Sequence, residues 1–281
     1  MNQPIQHPHL LPCKTEAIHA IDLPYRITSG ALDAAENTSQ WVDNGIVRAW
    51  AIFQPVFWTI DIGGDETLIP QVLEWAEQRI PHLGRPCWFV EALDKDTSRQ
   101  VLLADAGYVP QTEVPVNPWF KARMVYRGKT LSVAPPPRGI TIRPLHGMKE
   151  VEAYVALHRA VFQTESMTVP WRQATLQHPA YHPELDLVAH TSEGELVGFC
   201  IGWLSGDYGL LEPLGIHESH RHQGIATALT TELLNRMWTL GAKQCFVEPD
   251  AETKSPVGFY QSVGFEIEQY IHLFRKGELP S

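Results

Sequence analysis

The chain has 281 residues, with 22 basic against 32 acidic side chains and a formal net charge of −10 at pH 7. That length accommodates one large domain or two ordinary ones. That charge speaks against broad nucleic-acid or anionic-membrane binding, each of which needs a basic surface, and favours a small or cationic partner.

Met1 to Lys14 lacks the charged-then-apolar pattern of a secretory signal. The most apolar stretches, Ile46 to Ile60 and Glu195 to Leu204, are short or broken by Arg48, Gln54 and Pro55, so neither reads as a bilayer span. A soluble, cytoplasmic protein is the expectation. Cys13, Cys87, Cys200 and Cys245 lie far apart with no metal-ligand spacing, and they read as reduced and structural.

An opening strand and first helix are hard to find among residues 1–40, so the first half reads as a truncated copy. Further on, the chain repeats itself. Val90-Glu91 and Gly107-Tyr108 recur as Val247-Glu248 and Gly264-Phe265, an offset of 157 in both cases, which also pairs Leu83-Gly84 with Leu240-Gly241, Phe89 with Phe246 and Ser98 with Ser255. This predicts a duplicated domain. The seam is Ser132 to Arg138, where three consecutive prolines force an extended linker. The expected boundaries are 1–131, a linker at 132–138, and 139–281.

After the seam, Ile140 to Arg143 reads as a strand, and Met148, Val151, Val155, His158 and Phe162 fall at helical spacing. His158 lies on that apolar stripe and reads as a core histidine rather than a catalytic one. The helix end and loop from Val161 to His182, with Phe162, Glu165 and Trp171, are expected to cover the acceptor side. Leu185 to His190 and Glu195 to Leu204 read as a hairpin, and Tyr208 to Ile216 as the next strand. Ile225, Leu229, Leu233, Met237 and Leu240 mark an amphipathic helix stopped by Gly241. A strand at Cys245 to Glu248, a short helix from about Ser255 to Ser262 and a strand at Ile267 to Phe274 complete a mixed α/β order.

Two features carry chemistry. Arg221-His222-Gln223-Gly224-Ile225-Ala226 is a glycine turn that ends a strand and opens a helix, which aims unpaired backbone N–H groups outward, as a phosphate requires. Tyr260 then falls on a later helix just before the Val263-Gly264-Phe265 stop. Together they predict a diphosphate-bearing cofactor on the turn and a phenol near its reactive end.

At these residues the chain resembles the GNAT superfamily of acyl-CoA-dependent N-acyltransferases. The family's signature (Arg or Gln, two residues, Gly, one residue, Gly or Ala) is met by Arg221, Gly224 and Ala226, and its tyrosine-bearing helix by Tyr260 to Phe265. The resemblance covers 139–281 and implies an α/β (α+β) fold of two tandem GNAT-like domains, each a mixed, mostly antiparallel sheet flanked by helices. The N-terminal copy is degenerate: Gly64, Thr67, Ile69 and Leu103 stand where the second half has Arg221, Gly224, Ala226 and Tyr260. Bulky Thr67 and Ile69 are expected to crowd a phosphate, and Leu103 has no proton to donate. Mycothiol acetyltransferase has a similar layout.

The resemblance implies acetyl-CoA as co-substrate, no metal, and a small-molecule or peptide amine as acceptor, with no nucleic-acid or membrane partner. Backbone N–H groups of Gln223, Gly224, Ile225, Ala226 and Thr227 would cradle the diphosphate, with Arg221 at the rim. Leu214 and Ile216 would bond the pantothenate arm as an added strand. Tyr260 takes the place of the family's acid. Thr253 replaces the asparagine that many relatives carry seven residues before it. Glu212 is the first choice of base, on the face of 210 and 214 by period two, with a purely structural glutamate as the equal alternative. Glu248 and Asp250 are second candidates, although Glu248 has a twin in Glu91, which favours a structural role. His217, His220 and His222 read as a solvated loop rather than a metal site. The functional alternative is a non-catalytic acyl-CoA sensor or interaction module.

Overall fold

A computed structural model describes residues 2–3, 23–79, 84, 86–111, 120–128 and 132–278. Cys13 and Leu83 lie outside them. In chain order the elements begin with β1 (Asn2–Gln3), α1 (Leu23–Ile27), β2 (Thr38–Asp43), β3 (Ile46–Gln54), β4 (Thr59–Gly64), α2 (Ile69–Arg79), β5 (Cys87–Leu93), α3 (Thr97–Asp105), β6 (Val109–Pro110) and β7 (Phe120–Tyr126). There follow β8 (Ile140–Pro144), α4 (Val151–Phe162), α5 (Val169–Gln177), β9 (Asp186–Thr191), β10 (Leu196–Ser205), β11 (Tyr208–Ile216), α6 (Ile225–Thr239), β12 (Gln244–Val247), α7 (Lys254–Val263) and β13 (Glu266–Gly277).

These elements form two compact units. The first comprises Met1–Arg123, Glu248–Gly258 and Ile267–Ser281, and the second Met124–Val247 and Phe259–Glu266.

In the first unit β1 to β4 pair antiparallel in order, β4 meets β5 in parallel at Thr59↔Phe89, and β5 pairs antiparallel with β13 from Cys87↔Gly277 to Leu93↔Ile271. Asn44 and Gly45, both at positive φ (49° and 78°), turn β2 into β3. An Asn-Gly pair supplies this at little cost because its twist matches that of the strands. Ile60, Ile69, Val72, Leu73, Val90 and Leu103 form much of the unit's core.

In the second unit β8 to β11 pair antiparallel in order, β11 and β12 run parallel, and β12 pairs antiparallel with β7 from Cys245↔Tyr126 to Val247↔Met124. Each unit is therefore a mostly antiparallel sheet with one parallel joint. Helix α6 buries Leu229, Leu233 and Met237, residues four apart on one face. It packs close because β10 and β11 carry glycine below it: a Cβ at Gly202 would lie 2.3 Å from Met237 Cε. Leu240 does not extend that stripe. It follows the last helical turn and is 43% exposed. Met148 likewise leaves its predicted stripe, since a short 3-10 turn over Gly147–Glu150 precedes α4 and turns it outward.

Helix α5 falls inside the stretch expected to be loop. The local signal is nonetheless in the sequence: Thr168 Oγ1 accepts from the Trp171 N–H, and Pro170 stands in the first turn, a cap and a proline in their favoured places. Cys87, Cys200 and Cys245 are buried free thiols. Among the described residues no helix is long and apolar enough to cross a membrane.

Candidate active site

The site begins where β11 and β12 stop pairing. Their parallel register runs Tyr208↔Gln244, Gly209↔Cys245 and Leu210↔Phe246, whereas β11 continues to Ile216. Against β10 the register slips between Cys200 and Gly202, where Glu212 and Pro213 on β11 oppose Ile201 alone. This is a β-bulge, which bends a strand and re-aims its side chains.

The bulge corrects one expectation. A Cβ at Gly209 would meet Met237 of α6, whereas one at Gly215, six residues on, would meet Val161 and Phe199 on the opposite face. Even spacing in an unbroken strand keeps one face. The alternation has therefore slipped, and Leu214 no longer shares a face with Leu210. The Glu212 carbonyl accepts from buried Trp203 Nε1 at 2.8 Å, which anchors the bulge. The Glu212 side chain is half-buried.

Beyond the bulge the ladder's phase is fixed by His217 N–H donating to the Val197 carbonyl at 2.9 Å. Antiparallel pairs alternate between bonded and unbonded, so Leu214 and Ile216, opposite Cys200 and Gly198, turn their amides and carbonyls away from β10. That edge is past the end of the β12 pairing. Arg221 Nε donates to the Ile216 carbonyl at 3.2 Å, leaving the Ile216 amide and both polar groups of Leu214.

Next comes the turn. Gly224 caps α6 at φ 88°, no side chain closes the helix entrance, and a Cβ at Gly224 would meet nothing within 4 Å. The glycine serves the left-handed backbone rather than a crowded contact. Gln223 and Gly224 are exposed, Ala226 and Thr227 half-buried, and Ile225 is in the core. Amides of a first helical turn have no partner inside the helix, and the dipole there favours an anion. His217, Ser219 and His220 hydrogen-bond to one another in this exposed turn (2.7 and 2.9 Å). Among the described residues no group of three His, Cys, Asp or Glu could hold a metal ion.

Tyr260 is buried on α7, its ring 5.5 Å from that of Phe265. The helix stops as Phe265 N–H bonds back to the Tyr260 carbonyl, with Gly264 at φ 105°. Burial first, then the negative charge of Glu212, push its pKa well above the usual tyrosine range. The phenol thus keeps its proton. Thr253 is exposed just before α7 and groups with the first unit.

Other sequence candidates separate from this cluster. Glu165 is exposed and paired with Arg159 at 2.7 Å. Glu248 groups with the first unit, facing Arg123 at 3.9 Å, and Asp250 is exposed. The twin Glu91 pairs with Lys121 at 2.6 Å. His158 is 6% exposed and stacks on Phe199 at 5.6 Å; burial first, then the charge of Arg172, lower its pKa to about 4.

The first unit has the same joints, closed by its own side chains. Thr59↔Phe89 is the counterpart of Leu210↔Phe246, and two residues further lie Asp61 and Glu212. Asp61 is fully buried, 2.6 Å from Arg26 and 2.7 Å from Gln54 Nε2. At its helix entrance Asp65 accepts from Thr67 N–H and Oγ1 (3.0 and 2.8 Å). Ile69 does not crowd that entrance, contrary to expectation. It opens α2 as Ile225 opens α6, and both point into cores. The obstruction is an acidic side chain already lodged at the amides. Leu103 occupies α3 as Tyr260 occupies α7, and it is fully buried.

Comparison with solved structures places this architecture among the GCN5-related N-acetyltransferase folds. A GCN5-related N-acetyltransferase from Sphaerobacter thermophilus matches with a TM-score of 0.66 and 21% identity, over 88% of this chain and 82% of that one. A tandem GNAT protein from the clavulanic acid biosynthesis pathway matches with a TM-score of 0.64 and 12% identity, over 87% and 83%. At these identities the likeness is one of fold. Residues 151–265 match the model of the acetyltransferase (GNAT) family. An acetyltransferase of Sodalis glossinidius (strain morsitans) is 26% identical over 124 residues, which are 40% of this chain and 87% of that protein. The likeness to the GNAT acetyltransferases in sequence is thus carried by residues 151–265.

Proposed function

We propose that the second unit transfers an acetyl group from acetyl-CoA to a primary amine of a small molecule or peptide, by direct attack in a ternary complex. The observation that carries this reading is the open edge of β11, past the end of its pairing with β12, leading to the uncapped helix entrance at Gly224. By sequence the reading takes 139–281 as the catalytic copy, 132–138 as linker and 1–131 as the degenerate copy, although Glu248–Gly258 and Ile267–Ser281 group with the first unit and Met124–Tyr126 with the second. Leu103 in α3 and Tyr260 in α7 each stand six residues after the start of their helix, which supports the reading as two copies.

The residues fit the co-substrate. The uncapped entrance at Gly224 offers amides from Gln223 to Thr227 to a diphosphate, with Arg221 adding charge. The free groups of Leu214 and the Ile216 amide suit a peptide-like arm lying along the strand. The arriving amine is a cation with a pKa of about 10.4, so it must lose a proton before it attacks. Glu212 takes that proton, directly or through water. Tyr260, still protonated, gives its own to the departing thiolate.

The test is release of free thiol from acetyl-CoA in the presence of a panel of amines. Turnover with at least one amine is expected. Binding of acetyl-CoA without turnover for any of them would replace this reading with that of an acyl-CoA sensor.

A further inference from the structure

On the side covered by α4, the open end of β11 is bordered by an aromatic shelf that the reaction above does not use. Phe199 on β10 stands opposite Gly215 on β11. Gly215 has no side chain, and the Phe199 ring lies over it: a Cβ there would run into Phe199 Cζ and stand 2.8 Å from Val161 Cγ1. The end of α4 therefore rests on the stretch of β11 between Leu214 and Ile216, past the last pairing with β12. The next residue of α4 is Phe162.

Phe162 is 45% exposed, whereas Phe199 is fully buried. Its ring centroid lies 6.1 Å from that of Phe199 and 4.7 Å from that of His158, one helical turn back. These are separations at which tilted aromatic rings attract. The helix stops directly after it, at Gln163 with φ 52°. Arg159 then fixes the following loop, donating from Nε to the Met167 carbonyl at 2.8 Å and pairing with Glu165 at 2.7 Å. Trp171 is buried, so among residues 161–182 Phe162 is the exposed large apolar side chain. A lone surface hydrophobe is ordinary. This one is held by two rings and borders the strand edge that the reaction uses.

We infer that Phe162 is the platform on which the acceptor docks, and that the acceptor is an amine carrying an aromatic ring. This rests on the transfer reaction proposed above. A flat ring laid on Phe162 leaves water and gains an aromatic contact. The fixed end of α4 keeps that ring beside the edge of β11 along which the co-substrate arm runs. Glu165, the carboxylate of this segment nearest to Phe162 in sequence, is already paired with Arg159, so the segment selects by apolar contact rather than by charge.

The test compares 2-phenylethylamine with ethylamine, which differ by the ring alone, as acceptors for the full chain and for its Phe162→Ala and Phe162→Trp variants. Acetyl-CoA affinity by calorimetry and the thermal midpoint are measured alongside. In the wild type kcat/KM is expected to be about tenfold higher for 2-phenylethylamine, roughly the worth of one aromatic contact. Phe162→Ala should bring the two amines close to parity, and Phe162→Trp, which keeps an aromatic face, should retain the preference. Acetyl-CoA affinity and the thermal midpoint are expected to hold in both variants. A wild type that acetylates amines without favouring the ring leaves the transfer reaction standing and overturns this inference. A preference that survives Phe162→Ala overturns it too, by placing the ring elsewhere. Parallel loss of acetyl-CoA affinity does the same, by putting Phe162 against the co-substrate. Wild-type protein that binds acetyl-CoA but acetylates no amine defeats the transfer reaction, and this inference with it.

Discussion

Glu212 and Tyr260 are electrostatically coupled: after burial, the Glu212 carboxylate is the strongest influence holding the Tyr260 phenol protonated above its ordinary range. An isolated phenol would begin to ionise near pH 10. In this pair the acid stays loaded past the pH at which a free phenol ionises.

Tyr260→Phe is expected to lower kcat about 100-fold, within the range general acids contribute, with little change in the KM for acetyl-CoA. The wild-type pH–rate profile should show no alkaline fall attributable to this phenol up to pH 10. A variant with intact turnover at every pH removes Tyr260 from the mechanism.

Glu212→Gln is expected to cost about 100-fold in kcat/KM for the amine at pH 7. The deficit should shrink towards pH 10, where the amine supplies its own neutral form. A deficit independent of pH would mark the Glu212 side chain as structural.

Gly224→Ala places a side chain where nothing crowds it but where φ is 88°. The expected cost is about 1–2 kcal/mol of backbone strain, read by denaturant unfolding. Acetyl-CoA affinity should fall with it, because relief of that strain moves the amides the anion uses. Full affinity in a destabilised variant would confine Gly224 to turn geometry.

Calorimetry should find one acetyl-CoA per chain. The first unit fills both corresponding positions itself, with Asp65 at the helix amides and Arg26 on Asp61. Two equivalents per chain would contradict that closure.

The folded-state pKa of His158, about 4, lies below its ordinary value of 6.5. Between these values the unfolded chain binds the proton and the folded one does not, so stability is full above pH 6.5 and falls as pH drops towards 4. The shift corresponds to roughly 3 kcal/mol at most. His158→Phe should flatten that part of the stability–pH curve, and an unchanged slope would assign the acid sensitivity elsewhere.

Much of the second unit was legible locally. β11 was expected at the span the structure shows, α6 was read from its buried leucines, and α7 from a tyrosine before a glycine stop. Those signals are short-range: periodicity, caps and positive-φ glycines write themselves into neighbouring residues. Helix α5 was also written there, in Thr168 and Pro170, but its apolar pattern is too weak to stand out from a loop. The bulge at Glu212 was not legible, because its cause is a mismatch with β10, a partner strand.

The sequence by itself determined the motifs repeated at an offset of 157, the helix entrance at Gly224 and the residue types around it, since these depend on composition and spacing along the chain. Only the tertiary structure decided which strand closes which sheet: β13, the last in sequence, pairs with β5 in the first unit, and the end of β7 pairs with β12 in the second. It also decided that Asp61 is held by Arg26. An alternating apolar pattern marks a strand whatever its neighbour, and the neighbour is chosen by hydrogen-bond register and core packing between residues remote in the chain.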